Sequence, residues 1–118
     1  MEIRFRTGKL QKRYEKFSEA EKSYGREVAR KYIQRVNIIK QARDINELCA
    51  LPCLRCHPLK GDRQGQWAVK LTGFYRLIFT LEDEKPIKDP SMAGPPTGRV
   101  TDWLEIARIE EVSKHYDD

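Results

Sequence analysis

The chain has 118 residues, of which 39% are hydrophobic and 35% are charged, so residues 1–118 can form one globular domain. No run of 18 apolar residues occurs, which excludes a membrane-spanning helix, and the N-terminus lacks the apolar stretch of a secretory signal. The three cysteines are odd in number and close together, which argues against a disulfide framework. We therefore expect a cytoplasmic protein with free thiols.

The formal net charge is +5, but it is spread unevenly along the chain. Residues 1–76 contain 18 Lys or Arg and 8 Asp or Glu, a net +10, whereas residues 77–118 contain 5 and 10, a net −5. A basic body attracts polyanions, most commonly nucleic acid. An acidic protein partner, or a solvated basic surface without any partner, also fits this charge.

The first half of the chain predicts a strand followed by helices. Glu2–Phe5 alternates charged and apolar residues, as a short strand does. Apolar residues at helical spacing predict one helix from about Lys9 to Lys22 and another from about Glu27 to Ala42, separated by Gly25. The apolar positions, which we assign to the core, are Leu10, Tyr14, Phe17, Val28, Ala29, Tyr32, Ile33, Val36 and Ile39. The basic positions, which we assign to the opposite faces, are Lys12, Arg13, Lys16, Arg30, Lys31, Arg35 and Lys40.

A short third helix is predicted after Asp44, whose carboxylate can cap it. Glu47 stands three residues later, as in a capping box. Leu48 and Leu51 are expected to pack inward. Pro52 is expected to end this helix, because the residue before a proline avoids the helical conformation.

The second half of the chain predicts strands. Leu54–His57 reads as a short extended segment and Lys60–Gly65 as a glycine-rich loop. Trp67–Thr72 and Phe74–Leu81 are rich in β-branched and aromatic residues and predict a hairpin that turns at Gly73.

A loop rich in proline and glycine, at about residues 85–102, separates this hairpin from a last predicted strand, Trp103–Ile109. Helices followed by strands favour an α+β fold in which the helices cover one face of the sheet.

Two of the cysteines suggest a zinc site, with Cys53 and Cys56 in CxxC spacing and His57 next to them. A structural zinc needs four ligands, so Cys49 and His115 would have to complete the set. Neighbouring residues of an extended strand point to opposite sides, which makes Cys56 and His57 poor co-ligands. We expect neither a metal nor another cofactor.

A combination of imidazoles, cations and a tyrosine is the main chemical signal. Cleavage of RNA by its own 2′-OH needs a group that takes the 2′ proton, a group that protonates the 5′ oxygen, and cations beside the phosphate. Histidine suits either proton transfer, and the planar fork of arginine suits the phosphate. If the last strand returns beside the hairpin, one sheet face can hold the candidate catalytic residues His57, Lys60, Arg76, His115 and Tyr116.

Each candidate also has an ordinary structural explanation. His57 can cap a turn before Pro58, Arg76 can pair with Glu82 or Glu105, and the final KHYDD can be a frayed tail. Only the joint occurrence of these groups favours catalysis.

The stretch CHPLKGDRQGQWAVKLTGFYRLIF resembles the signature of HigB-type toxins in the RelE/ParE superfamily of toxin–antitoxin systems. That family has a His-Pro-Leu-x-Gly-Asp-Arg-x-Gly run before a hairpin with a Trp/Tyr-Arg pair. Here the run is His57–Gly65 and the pair is Tyr75-Arg76, and the resemblance covers residues 1–84 and 103–117. It implies an N-terminal strand and two helices packed on a small, mainly antiparallel sheet of about four strands.

The resemblance also implies an activity and partners. It implies a small cytoplasmic toxin that cuts mRNA in the ribosomal A site without a metal and thereby inhibits growth. It implies neutralisation by an antitoxin encoded beside it, typically a helix-turn-helix DNA-binding protein, in a toxin–antitoxin hetero-oligomer. No membrane partner is expected.

Family roles carry over to His57, Lys60 and Arg76, and also to Lys70, which stands where the family has a basic residue. Lys60 and Arg76 are expected to stabilise the phosphate. The residues expected to bind RNA are Arg55, Arg63, Lys70 and Tyr75.

The C-terminus departs from the family pattern. The family often ends in Asp-Tyr-His, whereas this chain has His115, Tyr116 and Asp117 in that order. His57 and His115 are both candidates for proton transfer, and Tyr116 is a candidate for orienting or stacking on the nucleotide. Which group is the acid and which the base stays open.

Two other functions fit the scaffold. One is a gyrase poison of the ParE kind, although such proteins lack this set of His, Lys and Tyr. The other is a basic module that only docks on RNA or on an acidic partner, for which His57 and Arg76 would be dispensable.

Overall fold

The computed structural model describes residues 1–83 and 105–114, in which four helices lie on one face of a five-stranded sheet. The helices are α1 (Gly8–Glu15), α2 (Phe17–Tyr24), α3 (Arg26–Gln41) and α4 (Ile45–Cys49). The strands are β1 (Glu2–Phe5), β2 (His57–Pro58), β3 (Gln66–Lys70), β4 (Tyr75–Asp83) and β5 (Glu105–Lys114). The strand order is β1-β5-β4-β3-β2, with β1 parallel to β5 and the other pairs antiparallel.

The α+β fold and the mainly antiparallel sheet are thus confirmed, while the strand count is five rather than about four. The additional strand is β2, which has two residues and pairs with β3. An element this short is recognisable only by its partner, because two residues cannot show the alternation that identifies a strand.

The core lies between α3 and the centre of the sheet. Val36 and Ile39 of α3 are fully buried in one apolar cluster with Leu77 and Phe79 of β4. Side chains alternate along a strand, so Arg76 must project from the opposite face. That opposite face carries Arg76 together with its cross-strand partners.

The predicted helix from about Lys9 to Lys22 is in fact two helices. Lys16 is extended, and its N–H donates to the Lys12 carbonyl at 2.9 Å while its own carbonyl accepts from the Ala20 N–H at 3.3 Å. One residue therefore closes α1 and opens α2. The break lets Ala20 become fully buried against α3, whereas Phe17, predicted to be in the core, is 38% exposed.

The prediction for α4 is confirmed at its start and wrong just beyond its end. The Asp44 carboxylate accepts from the Glu47 N–H at 2.9 Å, and this hydrogen bond lowers the pKa of Asp44. Leu48 is buried as expected, but Leu51 is 39% exposed. Because α4 ends at Cys49, the helical spacing that would align Leu51 with Leu48 is lost.

The last strand is longer than predicted and runs to Lys114. The predicted insertion at residues 85–102 lies outside the described residues. Within the described part of the chain, each helix is too short or too polar to cross a lipid bilayer.

Tyr32 connects α3 to α1, and removal of its hydroxyl should measurably lower the stability of the fold. Its ring is fully buried and its hydroxyl donates to the Leu10 carbonyl at 2.7 Å. Burial raises the pKa of Tyr32, which keeps the hydroxyl protonated as a donor. Tyr32→Phe should lower the free energy of unfolding by about 1 kcal/mol, because a buried hydrogen bond is lost, as measured by urea unfolding.

Tyr14→Phe provides the matched control for this measurement. The Tyr14 hydroxyl donates to the Asn37 side chain at an exposed site, so its removal should have a much smaller effect. Equal losses for the two variants would contradict the importance of the buried bond.

Candidate active site

A cavity of about 150 Å³ lies at the end of the β3–β4 hairpin. Its lining residues are Arg55, His57, Ala68, Val69, Lys70, Thr72, Gly73, Tyr75 and Arg76. Three of these are Lys or Arg and one is His, while none of the lining residues among those described is acidic. The local charge therefore favours an anionic ligand.

Two cations face each other across the strands of this hairpin. Lys70 on β3 pairs directly with Arg76 on β4, and like charges at opposed positions destabilise a sheet. The Nε of Arg76 is also buried and has no hydrogen-bond partner among the described residues. A phosphate bound by the guanidinium and the ammonium would supply the opposite charge.

The His57 imidazole is held in one tautomer by its own backbone. Its Nδ1 lies 2.7 Å from the Arg55 carbonyl oxygen, which can only accept, so Nδ1 carries the hydrogen. The neutral ring then has its free lone pair on Nε2. Arg55 adopts a left-handed conformation with φ of 47°, which costs a non-glycine residue about 1 kcal/mol. This backbone bend brings the Arg55 carbonyl to the ring.

The pairing of β2 with β3 places His57 on the same face as the two cations. His57 opposes Ala68 on β3. Lys70 lies two residues further along the same strand, about 7 Å from Ala68. The small Ala68 side chain leaves room between the imidazole and the cations. An imidazole with a free Nε2 and a phosphate-binding pair thus share one cavity.

Five of the nine residues predicted for the site line this cavity: Arg55, His57, Lys70, Tyr75 and Arg76. Tyr75 opposes Lys114 on β5, whose ammonium lies 5.9 Å from the centre of the Tyr75 ring. Sequence reasoning did not select Thr72 as a lining residue. Its position beside the turn glycine Gly73 was the only available signal.

Two of the other four predicted residues, Lys60 and Arg63, do not line the cavity. Lys60 is exposed at the start of a short 3-10 turn, Gly61–Arg63. Arg63 instead forms an ion pair with Glu111, at 3.5 Å. His115 and Tyr116 lie outside the described residues.

Arg35 of α3 is a residue whose place the sequence did not reveal. It was assigned to the polar face of its helix, but it is buried, with 8% of its surface exposed. Its Nε donates to the Lys70 carbonyl at 3.0 Å and its Nη1 to the Gln34 side chain at 2.9 Å. Arg35 therefore fixes the end of β3 from the helix side, directly behind Lys70.

Cys56 is arranged for packing rather than for thiolate chemistry, whereas Cys49 and Cys53 are exposed. Cys56 is partly buried against the core, whereas the adjacent His57 is exposed. Burial, with a smaller contribution from a hydrogen bond to Cys49, raises the pKa of the Cys56 thiol. A protonated thiol is a poor nucleophile and a poor metal ligand. In the described ranges, 1–83 and 105–114, no three potential ligands come together to hold a metal ion.

The opposed cations give a testable stability signature. Without an anion, Lys70→Met should be as stable as the wild type or more stable by up to about 1 kcal/mol, because repulsion is relieved. Inorganic phosphate should raise the thermal midpoint of the wild type, because it binds the folded state, and should raise that of the variant less. Thermal unfolding at constant ionic strength measures both effects.

Lys22→Met is the control, because it removes an equivalent charge from an exposed position on α2, outside the cavity. It should keep the wild-type response to phosphate. An unchanged response in Lys70→Met would contradict an anion site at this cavity.

Comparison with known proteins identifies the family of this chain. A family model described as the RelE-like toxin of the type II toxin–antitoxin system HigB matches residues 3–90. Among solved structures, the fold is similar to that of a YoeB/ParE toxin from Agrobacterium tumefaciens, with 16% identity and a TM-score of 0.49. That match covers 98% of this chain and 100% of the other. No curated protein matches this sequence. The family match extends over most of the chain and includes the cavity, so the chain belongs to the HigB-like family of RelE-like type II toxins, whose members act with an antitoxin partner.

Proposed function

We propose that this toxin is a metal-independent endoribonuclease that cuts mRNA on the ribosome and so inhibits translation and growth. RelE-like toxins are generally endoribonucleases, which agrees with this proposal. The observation that carries it is the cavity, where the guanidinium of Arg76, the opposed Lys70 and the oriented His57 converge. This set provides phosphate binding and a proton acceptor, the two functions that cleavage by the 2′-OH first requires.

In this mechanism the scissile phosphate binds between Lys70 and Arg76. Nε2 of neutral His57 takes the proton of the 2′-OH, and the 2′ oxygen attacks phosphorus. The bond from phosphorus to the 5′ oxygen then breaks, which leaves a 2′,3′-cyclic phosphate on one fragment and a 5′-OH on the other. Lys70 and Arg76 stabilise the additional negative charge that develops on the phosphate oxygens.

The 5′ oxygen needs a proton as it leaves. We assign this step to the C-terminal segment, with His115 as the donor and Tyr116 as the group that orients or stacks on the nucleotide. Lys60, near the entrance of the glycine-rich loop, supplies further positive charge to the RNA backbone. Arg63 contributes to the same field, although its ion pair with Glu111 reduces its share.

The basic body supports the ribosome as the site of action, because ribosomal RNA is a dense polyanion. The same charge supports an antitoxin that covers the cavity with acidic side chains, and we propose a helix-turn-helix DNA-binding protein as that antitoxin. We propose that the toxin meets both partners in the cytoplasm.

Arg76→Ala should abolish the activity. We expect growth arrest and new mRNA 5′ ends on induction of the wild type, and a loss of cleavage of at least about 100-fold in the variant, because phosphate charge stabilisation is removed. Mapping 5′ ends in translated messages measures this directly. Arg43→Ala is the matched control, since Arg43 is an exposed arginine outside the cavity, with 79% of its side chain accessible.

Growth arrest without new mRNA 5′ ends would contradict the nuclease proposal and would favour inhibition of gyrase. Arrest that survives both His57→Ala and Arg76→Ala would instead support a module that only docks.

Two substitutions at Arg55 separate the effect of its charge from the effect of its backbone conformation. Arg55→Gly and Arg55→Ala remove the same cation, but only glycine adopts a φ of 47° without strain. If the Arg55 carbonyl orients His57, the alanine variant should lose several-fold more cleavage rate than the glycine variant. Single-turnover cleavage on programmed ribosomes measures the difference, and equal rates would contradict this role of the backbone.

A further inference from the structure

The tip of the β3–β4 hairpin presents an aromatic ring to solvent. Phe74 is 63% exposed, the highest value among the large hydrophobic residues of the described chain. Exposure of this size is unfavourable for the isolated protein, because burying a phenylalanine contributes roughly 1.5–3 kcal/mol. A surface aromatic without a packing role in its own chain is therefore a candidate contact for a ligand or a partner.

The position of Phe74 is defined by its turn. The Leu71 N–H donates to the Tyr75 carbonyl at 2.9 Å and the Thr72 N–H donates to the same carbonyl at 3.2 Å. The Phe74 N–H donates to the Thr72 hydroxyl at 3.4 Å. These three bonds hold the backbone on both sides of the ring, so the ring is carried by a defined turn rather than by a free end.

The same turn forms part of the cavity wall. Thr72, Gly73 and Tyr75 all line the cavity, so Phe74 lies at its rim between two lining residues. Arg76, whose buried Nε has no partner among the described residues, follows only two positions later. An aromatic ring thus stands beside a site that is suited to a phosphate.

We propose that Phe74 is a stacking platform for a nucleobase adjacent to the phosphate bound by Lys70 and Arg76. In single-stranded nucleic acid each base is attached to the backbone within a few ångströms of its phosphate, so a base can reach the rim while the phosphate occupies the cavity. Cations with an aromatic ring beside them are the usual combination for single-stranded nucleic acid. This inference rests on the proposed function, because it takes RNA as the ligand.

The test uses a fluorescent, single-stranded 2′-O-methyl RNA, which has no free 2′-OH and is not cut. Phe74→Ala should weaken its binding by about fivefold to 150-fold, the range for loss of one stacked base. Phe74→Trp should bind at least as tightly as the wild type, and RNA should quench its new indole fluorescence. Phe74→Leu keeps apolar contact without an aromatic face and should bind nearly as weakly as Phe74→Ala.

Two controls separate stacking from fold and from charge. Phe17→Ala removes the other exposed phenylalanine, 38% accessible on α2, and should bind like the wild type. An RNA with abasic positions should bind the wild type and Phe74→Ala equally, because only its phosphates remain. Thermal unfolding of each variant establishes that it is folded.

Unchanged binding by Phe74→Ala, or full binding by Phe74→Leu, would overturn the inference. A loss of antitoxin affinity with unchanged RNA binding would also overturn it and would assign Phe74 to the antitoxin interface. If the wild type cuts messages and Phe74→Ala binds RNA normally, only the inference fails. If base-dependent binding is lost in Phe74→Ala but the wild type cuts nothing, the inference stands and the nuclease proposal fails.

Discussion

The pairing register between β3 and β4 determines the charge of the cavity, because it places Lys70 directly opposite Arg76. A sheet is weakened by opposed like charges, and here the guanidinium also has a buried Nε without a partner among the described residues. The apolar cluster on the other face, which includes Leu77 and Phe79, must maintain the register against that repulsion. Unfavourable interactions are thus concentrated at the cavity and stabilising ones in the core, a separation common in functional sites.

The chain segment that leads into β2 positions a residue of the same cavity. Leu54 is fully buried and anchors the segment that follows α4, and the left-handed Arg55 then turns the backbone. This turn lets the Arg55 carbonyl fix the tautomer of His57, whose strand pairs with β3 opposite Ala68. From the helix side, Arg35 holds the Lys70 carbonyl. Both sides of the cavity are therefore positioned by backbone contacts, which side-chain substitutions in the cavity leave largely intact.

The sequence predicted those features whose signal is local. Alternation identified the strands around Leu77 and Phe79, helical spacing identified α3, and the short spacing from Asp44 to Glu47 identified a cap. Features that depend on distant contacts were missed. The burial of Arg35 follows from a carbonyl 35 residues away, and β2 exists only through its pairing with β3.

The candidate site shows the same division. The sequence and the family resemblance selected five of the residues that line the cavity. Neither could reveal that Lys70 and Arg76 are directly opposed, because this depends on the turn at Gly73. Neither could reveal that Arg63 is engaged by Glu111, because this contact joins a loop residue to a strand far along the chain.

The measurement that tests the central claim most directly is translation of a message with a single 2′-deoxy nucleotide at a mapped cut site. We predict that the normal message is cut to a 5′-OH and a 2′,3′-cyclic phosphate, and that the deoxy message stays intact there. Cleavage of the deoxy message at the same rate, or 5′-phosphate ends, would contradict the account.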